Sequence, residues 1–170
     1  PYWRHWLAHQ QYDTFTHHSR CRSIEVPIYH LGGWYDPFLQ GIDLYTTMAE
    51  HAPKEEARRS QKLLVGPWTH DGIGASRVVD LDFGSEAETT FADEASRWFD
   101  HWLKGIDTGI MDEPPVKLEI RTGGTQRSPF RFENEWPIAR TQWTKMHLNI
   151  ERAQGTDIDS VEGSLTTEAP

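Results

Sequence analysis

A single cysteine, Cys21, stands in 170 residues, which leaves neither an internal disulfide framework nor a cysteine-based zinc site available. Positive charge is also scarce: 17 Lys plus Arg face 26 Asp plus Glu, a formal net charge of −9. The cations are scattered except between Lys54 and Arg59, a stretch that itself holds two Glu. A protein that grips phosphates carries a basic stripe, so nucleic acid is not an expected partner. No run of about 18 apolar residues could span a bilayer, so no membrane partner is expected either. No basic, apolar, small-residue succession opens the chain as a signal peptide would. The first residue is Pro1 rather than Met, as expected of a chain processed or cut from something longer, and the compartment stays open.

What the chain has in excess is tryptophan, eight in 170 residues, a density that implies large aromatic burial in a core or around a pocket. Residues 1–11 put Tyr2, Trp3, Trp6, Leu7 and Gln10 near helical spacing. The run Val26 to Leu31, ended by Gly32-Gly33, reads as a strand buried on both faces. Phe38, Ile42, Tyr45 and Ala49 then recur on a helix face. Pro53 and the charged Lys54 to Arg59 run end it, and Lys62 to Pro67 supplies a second buried strand. Strand, helix, strand at this spacing is a βαβ unit. A Gly- and Asp-rich loop from Asp71 to Glu88 leads into a third helix, with Phe91, Ala95, Trp98, Phe99, Trp102 and Leu103 on one stripe and Gly105 as its stop. Past Pro114-Pro115 the period changes to two, through Val116, Leu118 and Ile120 and again from Trp143 to Ile150. This argues for an all-β segment. The last twenty residues read as loop. The expected division is an α/β domain over 1–110 and a β domain over 111–170.

In open α/β sheets functional groups gather just beyond the carboxyl ends of the parallel strands. Asp36 comes after the first strand and His70 after the second. A carboxylate there can hold an imidazole's tautomer while the other ring nitrogen acts as general base. Either residue alone is more often a turn former or a surface group; the joint placement carries the reading. Trp34, Tyr35, Phe38 and Trp68 flank the two and could line an acyl pocket as well as fill core. His5 and His9 are four apart but lack the Glu of a zinc-protease helix, and a solvent-exposed pair is the better expectation. His17-His18 reads as loop surface, and Cys21 as a bystander thiol despite Arg20 and Arg22. The acids between Asp80 and Glu94 read as a solvated loop and helix start, with recognition of a substrate ammonium as the alternative.

Three strings together resemble the CocE/NonD-type serine hydrolases, which include cocaine esterases, α-amino acid ester hydrolases and X-prolyl dipeptidyl peptidases. They are Val26-Pro27-Ile28-Tyr29-His30-Leu31-Gly32-Gly33-Trp34-Tyr35-Asp36-Pro37-Phe38, Leu64-Val65-Gly66-Pro67-Trp68-Thr69-His70 and Arg97-Trp98-Phe99-Asp100-His101-Trp102-Leu103-Lys104-Gly105. The resemblance implies an α/β-hydrolase domain followed by a β jelly roll, with Asp36 as triad acid and His70 as triad base, acting on a small-molecule ester, an amide or a short peptide without a cofactor. It also implies a nucleophilic serine on a G-x-S-x-G elbow upstream of the acid. No serine of this chain sits in that motif. The expectation is therefore a fragment: the second half of a catalytic sheet plus the first strands of a jelly roll, inactive by itself. The competing expectation is a carbohydrate-binding or interaction module on the β segment, weakened because about 55 β-patterned residues are too few for eight strands.

Overall fold

The computed structural model describes residues 23–37, 40–88, 91–120, 130–151 and 162–167. The expected helix over 1–11, His5, His9, His17, His18, Cys21 and Phe38 lie outside them. Contacts divide the chain into two compact units, Pro1–Ile138 and Ala139–Pro170.

The first unit is built on one mixed sheet. β1 (Tyr29–Gly33), β2 (Lys62–Gly66), β5 (Val116–Glu119) and β6 (Phe130–Glu133) lie side by side in that order. β1, β2 and β5 run parallel, and β6 closes antiparallel on β5. The register sets Tyr29 opposite Lys62 and Gly33 opposite Gly66, so the two parallel strands end level with each other. β1 starts later than the apolar run does. Pro27 has no N–H to give to a ladder, and pairing begins with the Lys62 amide on the Ile28 carbonyl at 3.0 Å.

Parallel strands need crossovers, and these cover both faces of the sheet. α1 (Gln40–His51) and the short α2 (Glu55–Arg59) connect β1 to β2. On that face Tyr45 joins Leu63, Val65, Val116 and Leu118 in the main core, while Met48, Ala52 and Ala57 pack with Ile24 and Ile28. α2 occupies the charged run that the pattern gives only as a helix end. Pro53 stops α1, and the run then forms its own turn, with Glu55 and Glu56 at the start, Arg58 and Arg59 at the end, and a Glu55–Arg59 ion pair. That charge order suits the helix dipole.

α3 (Phe91–Lys104) covers the opposite face. The Trp98 ring packs on Tyr29 with centroids 5.5 Å apart. Trp98 is buried, whereas Phe99 and Leu103 of the same stripe are exposed, so only part of the stripe packs on the sheet. A charged cluster ties α3 to the amino ends of the strands. Glu94 accepts from the Tyr29 hydroxyl at 3.2 Å and lies 3.5 Å from Lys117 Nζ. Arg97 pairs with Glu113, whose backbone carbonyl takes the Lys62 ammonium at 3.2 Å. Burial pushes the Lys62 amine below its ordinary range, the nearby Glu113 opposing it. Burial, with Glu94 adding to it, raises the Tyr29 phenol.

Between β2 and α3 the Gly- and Asp-rich stretch is more ordered than a loop. It holds a 3₁₀ turn (His70–Gly72), a hairpin of β3 (Arg77–Val78) and β4 (Leu81–Asp82), and a second 3₁₀ turn (Ser85–Ala87). Val78, Phe83 and Ala87 form a small core of their own.

The expected boundary near residue 110 is not where the chain divides. β5 lies against β2 in the α/β sheet and is buried, so this sheet continues to β6 and the first unit runs to Ile138. Alternation misleads at this point for a physical reason. Lys117 reads as a solvent-facing position, yet its ammonium reaches Glu94 and lies 5.2 Å from the Phe130 ring centroid, a satisfied environment on a covered face. In the second unit β7 (His147–Glu151) pairs antiparallel with β8 (Glu162–Thr166). β8 falls in the acidic tail, where the composition predicts loop. No barrel or jelly-roll closure is present among the described residues.

His30 gives this fold a pH dependence. It is 3% exposed, edge-on to Tyr45, and its Nε2 lies 2.8 Å from Gln61 Oε1. Gln61 gives its amide N–H to the Ala57 carbonyl, so its oxygen faces the ring and Nε2 carries the proton. Burial lowers the His30 pKa, partly offset by the Gln61 bond. The unfolded imidazole takes a proton near about 6.5 while the folded one resists until lower pH, so the unfolded state binds more protons in that window and stability falls as pH drops through it. The melting temperature is expected to fall on acidification below about pH 6.5, and His30→Gln to flatten that slope; an unchanged slope in the variant would refute the assignment.

Candidate active site

β1 and β2 end on glycines, and the turn after each brings one polar side chain to the carboxyl edge of the sheet. After Gly33 the chain turns through Trp34 and Tyr35, closed by the Asp36 amide on the Gly33 carbonyl at 2.9 Å. After Gly66 it passes Pro67, Trp68 and Thr69 into the 3₁₀ turn that His70 opens. Two backbone bonds carry the pairing past the strands. Trp34 N–H donates to Gly66 O at 2.9 Å, and Tyr35 N–H donates to Trp68 O at 3.1 Å. The turns are thus joined one residue before Asp36 and two before His70.

The structure brings the two sequence-predicted residues together. His70 Nδ1 lies 3.2 Å from Asp36 Oδ2. A carboxylate only accepts, so Nδ1 is the donor, and in the neutral ring Nε2 holds the lone pair. Exposure is asymmetric: the Asp36 side chain is 6% accessible and that of His70 58%. A screened acid behind an accessible imidazole can hold a tautomer and transfer a proton outward.

The flanking aromatics divide. Tyr35 is exposed beside the pair. Trp34 is half-buried, donates its indole N–H to Glu119 O at 2.8 Å and packs on the main core. It also borders a cavity of about 350 Å³ with Leu118, Ile120, Trp136 and Ile138. Trp68 has no exposed surface and so fills core instead of lining a pocket. Its indole N–H donates to Ala87 O at 3.1 Å. Among the described acids of the 80–94 stretch, Asp82 accepts from Gly84 N, Glu88 from Ser76 Oγ and Glu94 from Tyr29, which gives them structural work. Among the described residues no group of three or more His, Cys, Asp or Glu is placed to hold a metal ion, and no helix is long and apolar enough to cross a membrane.

Sequence reasoning misses how closely the two strand ends approach each other. A Cβ on Gly33 would collide with the Trp68 carbonyl oxygen, and one on Gly66 would stand 2.5 Å from the Trp68 ring. The signal lies in Gly32-Gly33-Trp34 and Gly66-Pro67-Trp68, where pattern alone gives strand punctuation and not steric contact.

Known proteins resemble this chain across this region. The family described as X-Pro dipeptidyl-peptidase (S15 family) matches residues 1–72, a span that includes both Asp36 and His70. Cocaine esterase of Rhodococcus sp. (strain MB1 Bresler) is 30% identical over 154 residues, 88% of this chain and 24% of that protein. The chain belongs to the CocE/NonD-type serine-hydrolase family. A Mycobacterium bovis (strain ATCC BAA-935 / AF2122/97) protein that carries the name of a serine esterase is 34% identical over 127 residues, 73% of this chain and 17% of its own. A solved CocE/NonD family hydrolase from Staphylococcus aureus aligns with 76% of this chain and 23% of its own at 17% identity and a TM-score of 0.48. This CocE/NonD-type chain spans about a quarter or less of the length of the curated relatives it matches.

Adjacent glycines test the close approach. Gly32 has nothing within 4 Å of a Cβ, whereas Gly33 meets backbone. Gly33→Ala is expected to cost about 1–3 kcal/mol in urea unfolding through overpacking, and Gly32→Ala to be neutral or stabilising by up to about 1 kcal/mol. Equal effects at the two positions would contradict the packing described.

Proposed function

We propose that this chain supplies the acid and base of a Ser-Asp-His triad in a hydrolase of esters or amides. The observation that carries the reading is the 3.2 Å contact between His70 Nδ1 and Asp36 Oδ2 at the level ends of two adjacent parallel strands. Asp36 orients the imidazole and stabilises its protonated form. His70 Nε2 takes the proton of a serine hydroxyl as that oxygen attacks the substrate carbonyl, then returns it to the leaving alkoxide or amine. Water, deprotonated by the same nitrogen, frees the acyl group and regenerates the serine. No cofactor enters this sequence of steps.

The serine is supplied from outside these 170 residues, because none here stands in the G-x-S-x-G elbow. The order acid before base along the chain suits the order serine, acid, histidine of α/β-hydrolases. Family membership supports the reaction class, and the names of the relatives, an esterase and a dipeptidyl-peptidase family, bracket the substrates: small esters, amides or short peptides. In the same reading β7 and β8 open a β domain that continues beyond this chain.

The test is labelling of the whole source protein with a fluorophosphonate, with mapping of the labelled peptide. Label is expected on a serine outside the chain, and its incorporation is expected to vanish in His70→Ala. Asp36→Asn and His70→Ala should each lower kcat on the order of 10⁴-fold with the fold retained. Near-normal turnover in either variant, or label on a serine within the chain, would overturn the assignment.

A further inference from the structure

Trp68 is held at three points, two of which bear on the turns that carry Asp36 and His70. Its six-membered ring lies on Gly66, where a Cβ would approach Cε3 and Cζ3 to 2.5 Å. Its indole N–H is fixed to Ala87 O at 3.1 Å, in the 3₁₀ turn that precedes α3. Its backbone carbonyl takes the Tyr35 N–H at 3.1 Å and rests against Gly33. The residue is fully buried and stands two positions before His70, and its carbonyl partner stands one position before Asp36. A buried indole needs a partner for its N–H and finds it in Ala87. A core-filling tryptophan requires no more than that. What exceeds core filling is that the ring's seat and the carbonyl's bond act on opposite sides of the same pair of turns. The indole's seat and its bond to Ala87 fix the position of residue 68, whose carbonyl makes the bond between the turns.

We propose that Trp68 is a positioning residue for the Asp36–His70 pair, transmitting the seat of its indole through its own carbonyl to the Tyr35 amide. The proposal rests on the catalytic reading of that pair. It replaces the alternative in which Trp68 touches substrate, since the side chain has no surface from which to do so. Ala87 belongs to the same device, and through it the loop that separates β2 from α3 helps to hold the site.

Trp68→Phe removes the N–H that bonds Ala87 and leaves the six-membered ring's seat on Gly66 partly empty. In the whole source protein labelled with 15N at histidine, NMR reads the tautomer of the His70 ring, assigned by its loss in His70→Ala. Wild-type His70 is expected to show an Nδ1–H proton shifted downfield by the carboxylate, with Nε2 unprotonated. Trp68→Phe is expected to broaden or lose that signal, while Met48→Ala, a comparably buried core change on α1, lowers the melting temperature and leaves the signal in place. If Trp68→Phe fails to fold, Gly66→Ala carries the test by displacing the ring from its seat. In the whole enzyme acting on p-nitrophenyl acetate, Trp68→Phe should lower kcat about 10²-fold, the scale of an ångström-sized misplacement, with KM little changed. An unaltered His70 signal with kcat unaltered, or a rise in KM alone, would overturn the positioning role. A wild-type signal that Asp36→Asn does not change would remove the pair itself, and both readings with it.

Discussion

The carboxyl edge of this sheet depends on the absence of two side chains. Gly33 and Gly66 stand opposite each other at the ends of neighbouring parallel strands, and the volume their Cβ atoms would occupy is filled by Trp68, its carbonyl against one glycine and its ring against the other. Close packing makes such a site intolerant of even one added methyl. The chain therefore reaches Asp36 and His70 from two turns that cannot drift apart without breaking a backbone hydrogen bond or opening a void around an indole. The hydrogen bond between this carboxylate and this imidazole keeps its geometry only while the two turns are held, and here the holding is done by uncharged groups.

The opposite edge is organised by charge. Glu94, Arg97, Glu113, Lys62 and Lys117 meet where α3 crosses the amino ends of β1, β2 and β5. Partly buried ions are costly unless compensated, and each of these has at least one partner of opposite sign, with backbone carbonyls completing the shell of Lys62. The sheet is thus secured electrostatically at one end and sterically at the other. The end free of this charge network is the one that presents the imidazole.

Much of this is legible in the residues. Apolar runs closed by glycine mark β1 and β2, the 3.6-residue stripe marks α1 and α3, and one acid and one histidine placed just past two strands mark the site. Pattern fails where a side chain's environment differs from its type. Lys117 makes β5 look like a half-exposed strand of another domain, because alternation cannot register an ammonium satisfied by Glu94 and an aromatic ring. The Lys54 to Arg59 run looks like a helix end although its acids and bases are ordered to form a helix. Trp68 looks available to substrate because sequence distance to His70 does not reveal which way an indole points. The tail around β8 resembles loop because Gly163 to Thr166 has little apolar character, and only its pairing with β7 makes it a strand.

The unequal burial of Asp36 and His70 has a consequence for space as well as for protons. Trimming the imidazole back to a methyl would leave a notch open to bulk solvent, which water or a small heterocycle in the buffer could enter and leave at diffusional rates. Trimming the carboxylate would leave a hole behind the imidazole with only 6% of the side chain's surface facing out, too enclosed for a carboxylate from solution to enter without shedding its hydration. One half of the pair is replaceable in kind by a solute and the other is not, although the two sit 3.2 Å apart.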